Sequence, residues 1–282
     1  MLGTLTLEIW GLGVIQHSTI ALPNRRPHMP TTKIEFTGSL NAQLAAILDE
    51  PNEKVRAYAM FAHCFTCSKD VIAASRISRA LSKLGIGVLR FDFTGLGNSE
   101  GDFADTTFSS NIGDLIKAAD WLRVNRSAPC ILIGHSLGGA AVLAAAPQIP
   151  ECKAVATIGA PADPEHVIHL FDSSASEIEQ HGRADVSIAG RPFTVGQQLI
   201  DDLRDQDPQS RISSLRRALL IFHSPVDSVV GVENAAQIFA WAKHPKSFVS
   251  VDGSDHMLTK HKDADFVAEM LSAWAQRYAP AE

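Results

Sequence analysis

The chain predicts an α/β fold: a mainly parallel sheet with helices on both faces and a lid insertion. Three observations carry this. Short apolar runs alternate with amphipathic stretches along most of the 282 residues, the pattern of strands joined by crossover helices. That alternation stops once, over residues 160–211, and then resumes. One strand-to-helix junction reads Gly134-His135-Ser136-Leu137-Gly138, a G-x-S-x-G turn that lifts a serine hydroxyl clear of a sheet.

Taken in order, residues 1–30 read as an N-terminal extension. Their apolar run is broken by Glu8, Gln16 and His17, and the first basic residue, Arg25, follows the run, so neither a span nor a signal peptide is expected. Residues 32–36 alternate as a strand, Gly38-Ser39 turns, and 40–48 return, which predicts an antiparallel hairpin at the sheet edge. An apolar strand over 55–62 ends at His63, an amphipathic helix over 71–84 stops at Gly85, and a strand over 87–91 precedes a helix over 108–126. Then come the serine strand, a small-residue helix over 140–146 and a buried strand over 154–158. In the insertion, 186–188 faces 193–195 as a hairpin, and Val195, Leu199 and Leu203 recur at helical spacing. An irregular segment this long inside an alternating fold predicts a lid. Strand 218–222, helix 229–241, strand 247–251 and helix 264–277 complete a core of residues 31–159 and 212–282.

Apolar residues at 45% and charged residues at 20% describe an ordinary globular chain. A net charge of −6 without a basic cluster argues against a nucleic-acid partner. No run reaches membrane-spanning length, and a homodimer is compatible with the composition. Cysteines at irregular positions do not make a disulfide framework, so a reducing cytoplasm is the expected location. Cys64-Phe65-Thr66-Cys67 lacks the further ligands of a metal site and the context of a redox motif, and reads as two thiols packed near a helix start. No phosphate loop or dinucleotide fingerprint appears, so neither cofactor nor metal is expected.

In such sheets chemistry lies beyond the carboxyl ends of the strands. Three residues there supply a nucleophile, an orienting acid and a base: Ser136, Asp227 and His256. A serine hydroxyl needs a base to take its proton, and a carboxylate behind that base fixes its tautomer. His63, His135 and His223 also end strands, and Asp252 and Asp255 compete for the acid, but chain order favours Asp227 and His256. Asp92 reads as an anchor for the loop 92–99. The oxyanion donors are expected to be the N–H groups of Leu137 and Phe65. The pocket is expected to draw on Phe65, His135, Val167, Leu170, Phe171, Leu199 and Val229.

These residues carry a resemblance. The span from about 32 to 278 resembles the serine-esterase branch of the α/β-hydrolase superfamily. His63-Cys64-Phe65-Thr66 is similar to the His-Gly-Phe-Thr loop of cinnamoyl/feruloyl-type esterases, whose Phe position supplies an oxyanion N–H. Segments 61–70, 90–97 and 242–248 resemble more closely the hydrolase half of bacterial hydrolase–OsmC fusion proteins. Cys64 departs from the loop glycine, and no OsmC-like domain follows, so no peroxide reductase activity is implied. The expected function is hydrolysis of short-to-medium acyl esters through an acyl-enzyme, with aryl-acyl esters implied by the resemblance. Acyl transfer or perhydrolysis by the same triad, and a non-catalytic ligand-binding module on the same fold, are the alternatives.

Overall fold

The computed structural model describes residues 31–188 and 190–279; the expected N-terminal extension lies outside the described residues. The chain opens with strands β1 (Thr31–Thr37) and β2 (Gln43–Asp49), whose buried positions alternate as a half-covered antiparallel pair requires. Strand β3 (Ala57–Ala62), helix α1 (Ile72–Ser82), strand β4 (Ile86–Phe91), helix α2 (Phe108–Asn125), strand β5 (Pro129–His135), helix α3 (Leu137–Ala145) and strand β6 (Ala154–Ile158) follow. The insertion holds a 3-10 segment (Pro164–Ser174), helix α4 (Ala175–His181), the hairpin β7 (Arg183–Ile188) and β8 (Arg191–Gly196), and helices α5 (Gln197–Arg204) and α6 (Pro208–Ser213). Strand β9 (Ala218–His223), helix α7 (Glu233–Trp241), strand β10 (Lys246–Ser250) and helix α8 (His261–Ala275) close the fold.

The main sheet runs β1-β2-β4-β3-β5-β6-β9-β10. Its first two pairings are antiparallel and the rest parallel. Every residue of β3, β4, β5, β6 and β9 is buried, as a sheet covered on both faces demands. The two-residue period divides the core. Tyr58, Met60 and Ala62 pack toward α2, α3 and the insertion, whereas Ala57, Ala59 and Phe61 pack toward α1 and α8. Phe61 is fully buried, and truncating it to alanine is expected to cost about 3–5 kcal/mol.

Helix α3 is buried along its whole length, which its alanines and glycines permit. A Cβ on Gly139 would stand 2.5 Å from that of Ala160, so only a bare backbone approaches β6 this closely. Most element boundaries move by one to three residues from the periodic reading, and the start of α7 moves furthest. The helix expected from 229 begins at Glu233, because the Asp227 carboxylate takes the N–H groups of Val229 and Val230 into a turn.

Candidate active site

Ser136 sits between β5 and α3 at φ 55 and ψ −128, in the positive-φ region that a side chain rarely adopts. Neighbouring backbone fixes it there: its N–H donates to the Ile158 carbonyl at 2.8 Å, and its carbonyl accepts from Gly139 N–H at 2.8 Å. The flanking glycines answer to contact. A Cβ on Gly134 would lie 2.2 Å from the Gly138 carbonyl oxygen, and one on Gly138 would lie 2.4 Å from the His63 carbonyl oxygen. The turn is therefore wedged directly against the loop after β3. Leu137, the first residue of α3, presents an N–H with no acceptor inside the helix.

His256 and Asp227 meet beyond β9 and β10. His256 Nδ1–H donates to Asp227 Oδ2 at 2.8 Å, which leaves Nε2 with its lone pair. Burial would raise the Asp227 carboxyl. The hydrogen bonds from His256 and from the N–H groups of Val230 and Val229 outweigh that and hold it below the ordinary aspartate value. Gly159, at φ 55, makes room for the pair: a Cβ there would approach Asp227 Oδ2 and His256 Nδ1 to 3.3 Å each. Ser224 Oγ donates to the Ser254 carbonyl at 2.7 Å and ties the acid turn to the histidine loop.

The other strand-ending histidines brace these loops. His135 Nε2–H donates to the His256 carbonyl at 2.7 Å, and its ring lies 5.1 Å from the His256 ring. Burial, and then the neighbouring His256, lower its pKa to about 4, so it is neutral at pH 7. His223 Nε2–H donates to the Val230 carbonyl at 2.8 Å. His63 Nδ1–H donates to the Cys64 carbonyl at 2.8 Å, and burial holds its pKa below the usual value. Asp92 anchors its loop: Oδ2 accepts from Lys69 Nζ at 2.7 Å and from Asn98 N–H at 2.9 Å. Asp255 takes the N–H and hydroxyl of Thr259, and Asp252 the hydroxyl of Ser250.

Comparison with known proteins gives this fold a family. Residues 53–181 match the family described as serine aminopeptidase, S33 (Hydrolase_4). The esterase domain of a Rhodothermus marinus protein is 47% identical, with a TM-score of 0.74 over 89% of this chain and 100% of that one. The chain belongs to the α/β-hydrolase family. Est1E from Butyrivibrio proteoclasticus, solved with ferulic acid bound, shares the hydrolase fold at 19% identity and a TM-score of 0.74, covering 87% of this chain and 98% of that one. The mitochondrial palmitoyl-protein thioesterase ABHD10 of Rattus norvegicus is 32% identical over 107 residues, 38% of this chain and 35% of that protein. The chain thus spans about a third of the length of that curated relative.

In this hydrolase the loop after β3 departs from the sequence reading. Cys64 and Cys67 are joined in a disulfide; they are not two free thiols. The reason is the turn between them: Cys67 N–H donates to the Cys64 carbonyl at 3.1 Å and brings the two Cα atoms to 5.3 Å, within bridging range. Phe65 lies inside this two-residue bridge, and its N–H has no acceptor among the described residues. Cys64 Sγ touches Met257 Sδ at 3.9 Å, next to His256. Cys130 and Cys152 are free and buried.

The expected pocket residues divide. Phe65 and Leu137 line a narrow cleft together with His63, Cys64, Phe93, Leu96, Asn111, Gly138 and Ala141. Val167, Phe171 and Leu199 are buried in the core instead, and Leu170 and Val229 are exposed. His135 turns away beneath His256. The insertion reaches the cleft only from outside: the Phe171 ring stands 6.2 Å from that of Phe65, and Arg191 donates to the Thr66 carbonyl. Asn111 escaped the sequence reading, although a signal existed. It falls on the apolar stripe of α2, three residues after Phe108 and four before Leu115, where a polar side chain is out of place.

Proposed function

We propose that the chain is a serine hydrolase of carboxylic esters, and the observation that carries this is the His256–Asp227 pair, tied through the His256 carbonyl to His135, the residue before a serine at positive φ. Ser136 attacks the ester carbonyl while His256 Nε2 takes its proton, and Asp227 steadies the resulting imidazolium. The N–H groups of Leu137 and Phe65 receive the oxyanion. The alcohol leaves with a proton from His256, and a water activated by the same base then releases the acid from the acyl-enzyme. Residues 160–211 act as the lid over a core of 31–159 and 212–282.

The cleft beside Phe65 and Leu137 is narrow and mostly apolar. A preference for short-to-medium acyl groups is expected, since each buried methylene gains about 0.8 kcal/mol only until the space is full. Thioesters join the substrates to be tried because of the thioesterase relative. The cytoplasmic location rested partly on reduced thiols, and the Cys64–Cys67 bridge removes half of that premise while Cys130 and Cys152 keep the rest.

A fluorophosphonate probe and a panel of p-nitrophenyl esters and thioesters from acetyl to palmitoyl test the reading together. Labelling at Ser136 and a maximum between butyryl and octanoyl are expected. Ser136→Ala is expected to abolish labelling and lower turnover by roughly 10³-fold or more. An unlabelled wild-type protein would make the chain a binding module.

A further inference from the structure

The cleft next to the proposed oxyanion donors is built from apolar surface apart from two side chains, and one of these, His63, has both ring nitrogens occupied by the Cys64 carbonyl and the Phe93 N–H. Phe65, Phe93, Leu96, Leu137 and Ala141 form its walls, and Asn111 stands among them. Asn111 belongs to the first turns of α2, whose N-terminus is fixed by a Thr107–Ser110 capping box, so its position is rigid. It is 9% exposed. Its backbone N–H is used by the helix, bonding to the Thr107 carbonyl at 3.2 Å. Its carboxamide makes no hydrogen bond to any described residue. Nor is it among the polar atoms sealed wholly inside the protein, so the cleft is where it finds open space.

An amide in this position is costly to cover with hydrocarbon. A buried carbonyl and NH2 without partners lose their hydration and gain nothing in return. The same amide rewards a ligand that brings an oxygen to it, because it can both donate and accept. A polar group serving only helix structure would bond to backbone or to a neighbouring side chain; Asn111 does neither. The partner it lacks belongs to whatever enters the cleft.

We propose that Asn111 is a specificity-determining residue and that this hydrolase takes acyl groups carrying a hydroxyl on the chain, the hydroxyl bonding to the Asn111 carboxamide while the rest of the acyl group lies against Phe65, Phe93 and Leu96. The inference rests on the ester-hydrolase reading and adds to it the class of acyl group. It concerns the acyl half because the cleft is bounded by Leu137 and Phe65, the residues that flank the carbonyl carbon in the proposed acyl-enzyme. A cleft that hydrogen-bonds a substrate hydroxyl discriminates strongly against the analogue lacking it.

The test compares matched methyl esters by pH-stat: butyrate with 3-hydroxybutyrate, hexanoate with 6-hydroxyhexanoate, and 3-phenylpropionate with 3-(4-hydroxyphenyl)propionate. Butyl acetate and 4-hydroxybutyl acetate carry the hydroxyl on the alcohol half. The wild-type protein is expected to favour the hydroxylated member of at least one acyl pair by 10-fold or more in kcat/KM, and to show no preference in the alcohol pair. Asn111→Leu, near in volume but unable to hydrogen-bond, is expected to bring that ratio to within twofold of one or below it. Asn111→Ser is expected to keep part of it. Thermal melting identifies which variants fold, and either folded variant suffices for the ratio. Ratios near one for every wild-type acyl pair would mean that the amide merely holds water, and would overturn the inference while leaving ester hydrolysis standing. A preference in the alcohol pair alone, or a ratio unchanged in Asn111→Leu, would overturn it equally. Absence of turnover on every ester would overturn the ester-hydrolase reading itself, and the inference with it.

Discussion

Asp227 carries two loads at once. One carboxylate oxygen receives the His256 ring, and the other gathers the N–H groups of Val229 and Val230. Replacing it by asparagine keeps the turn but puts an NH2 group within reach of the imidazole, which favours the wrong tautomer. Asp227→Asn is therefore expected to lower kcat by roughly 10³- to 10⁴-fold, whereas Asp252→Asn and Asp255→Asn, whose carboxylates serve their own turns, are expected to stay within about threefold on the size of ordinary surface effects. Steady-state kinetics on one short-chain ester decides it, and a crippled Asp255→Asn would move the acid to the histidine loop. The strand-end positions of Ser136 and His256 were legible in the sequence because each follows an apolar strand. Asn111 was hidden for the opposite reason: a helix stripe is read by its apolar members, and one amide does not break it.

Among the elements, the loop after β3 repays most attention. The C-x-x-C spacing was plain in the sequence, yet spacing alone is shared by thiols, metal sites and bridges. What decides between them is the turn, which needs coordinates. Since Phe65 lies between the bridged cysteines, the bridge constrains the backbone that carries its N–H, the proposed oxyanion donor. Reduction releases that constraint without touching the sheet. Treatment with dithiothreitol is expected to lower kcat about 10-fold, a share of the roughly 10²–10³ that one oxyanion donor is worth, with full recovery on reoxidation. Cys64→Ser/Cys67→Ser is expected to show the lower rate from the start and no response to reductant; a reductant-insensitive wild type would leave the bridge without a part in turnover. In the insertion the hairpin and the helix carrying Leu199 and Leu203 were legible, whereas α4 and α6 were not, since seven and six residues are too few to show a period.

For the whole molecule, the histidines beneath the site set the response to acid. The sign follows from burial. The His135 pKa falls to about 4 in the folded protein, below the roughly 6.5 of an unfolded histidine. The unfolded chain thus binds the proton first, and stability is full above about pH 6.5 and is lost as pH falls toward 4. The Asp227 carboxyl, also depressed, adds loss in the same direction at lower pH. The His135 share amounts to roughly 3 kcal/mol. Denaturant unfolding at intervals from pH 7.5 to 4 is expected to show this slope in the wild type. His135→Asn is expected to be less stable at neutral pH yet markedly flatter across that window; an identical slope would assign the acid sensitivity elsewhere.

The hydrogen bond from His135 to the His256 carbonyl joins residues 121 positions apart, with the whole insertion between them. A growing chain leaves the ribosome N-terminus first, so the proposed nucleophile emerges long before its base. Through that interval Ser136 has neither of its proposed partners, His256 and Asp227, in the chain beside it. Strand β10, the last in chain order and at the edge of the sheet, is also the one that leads into the histidine loop. On the proposed triad, a chain interrupted before β10 lacks its base and is expected to be inert.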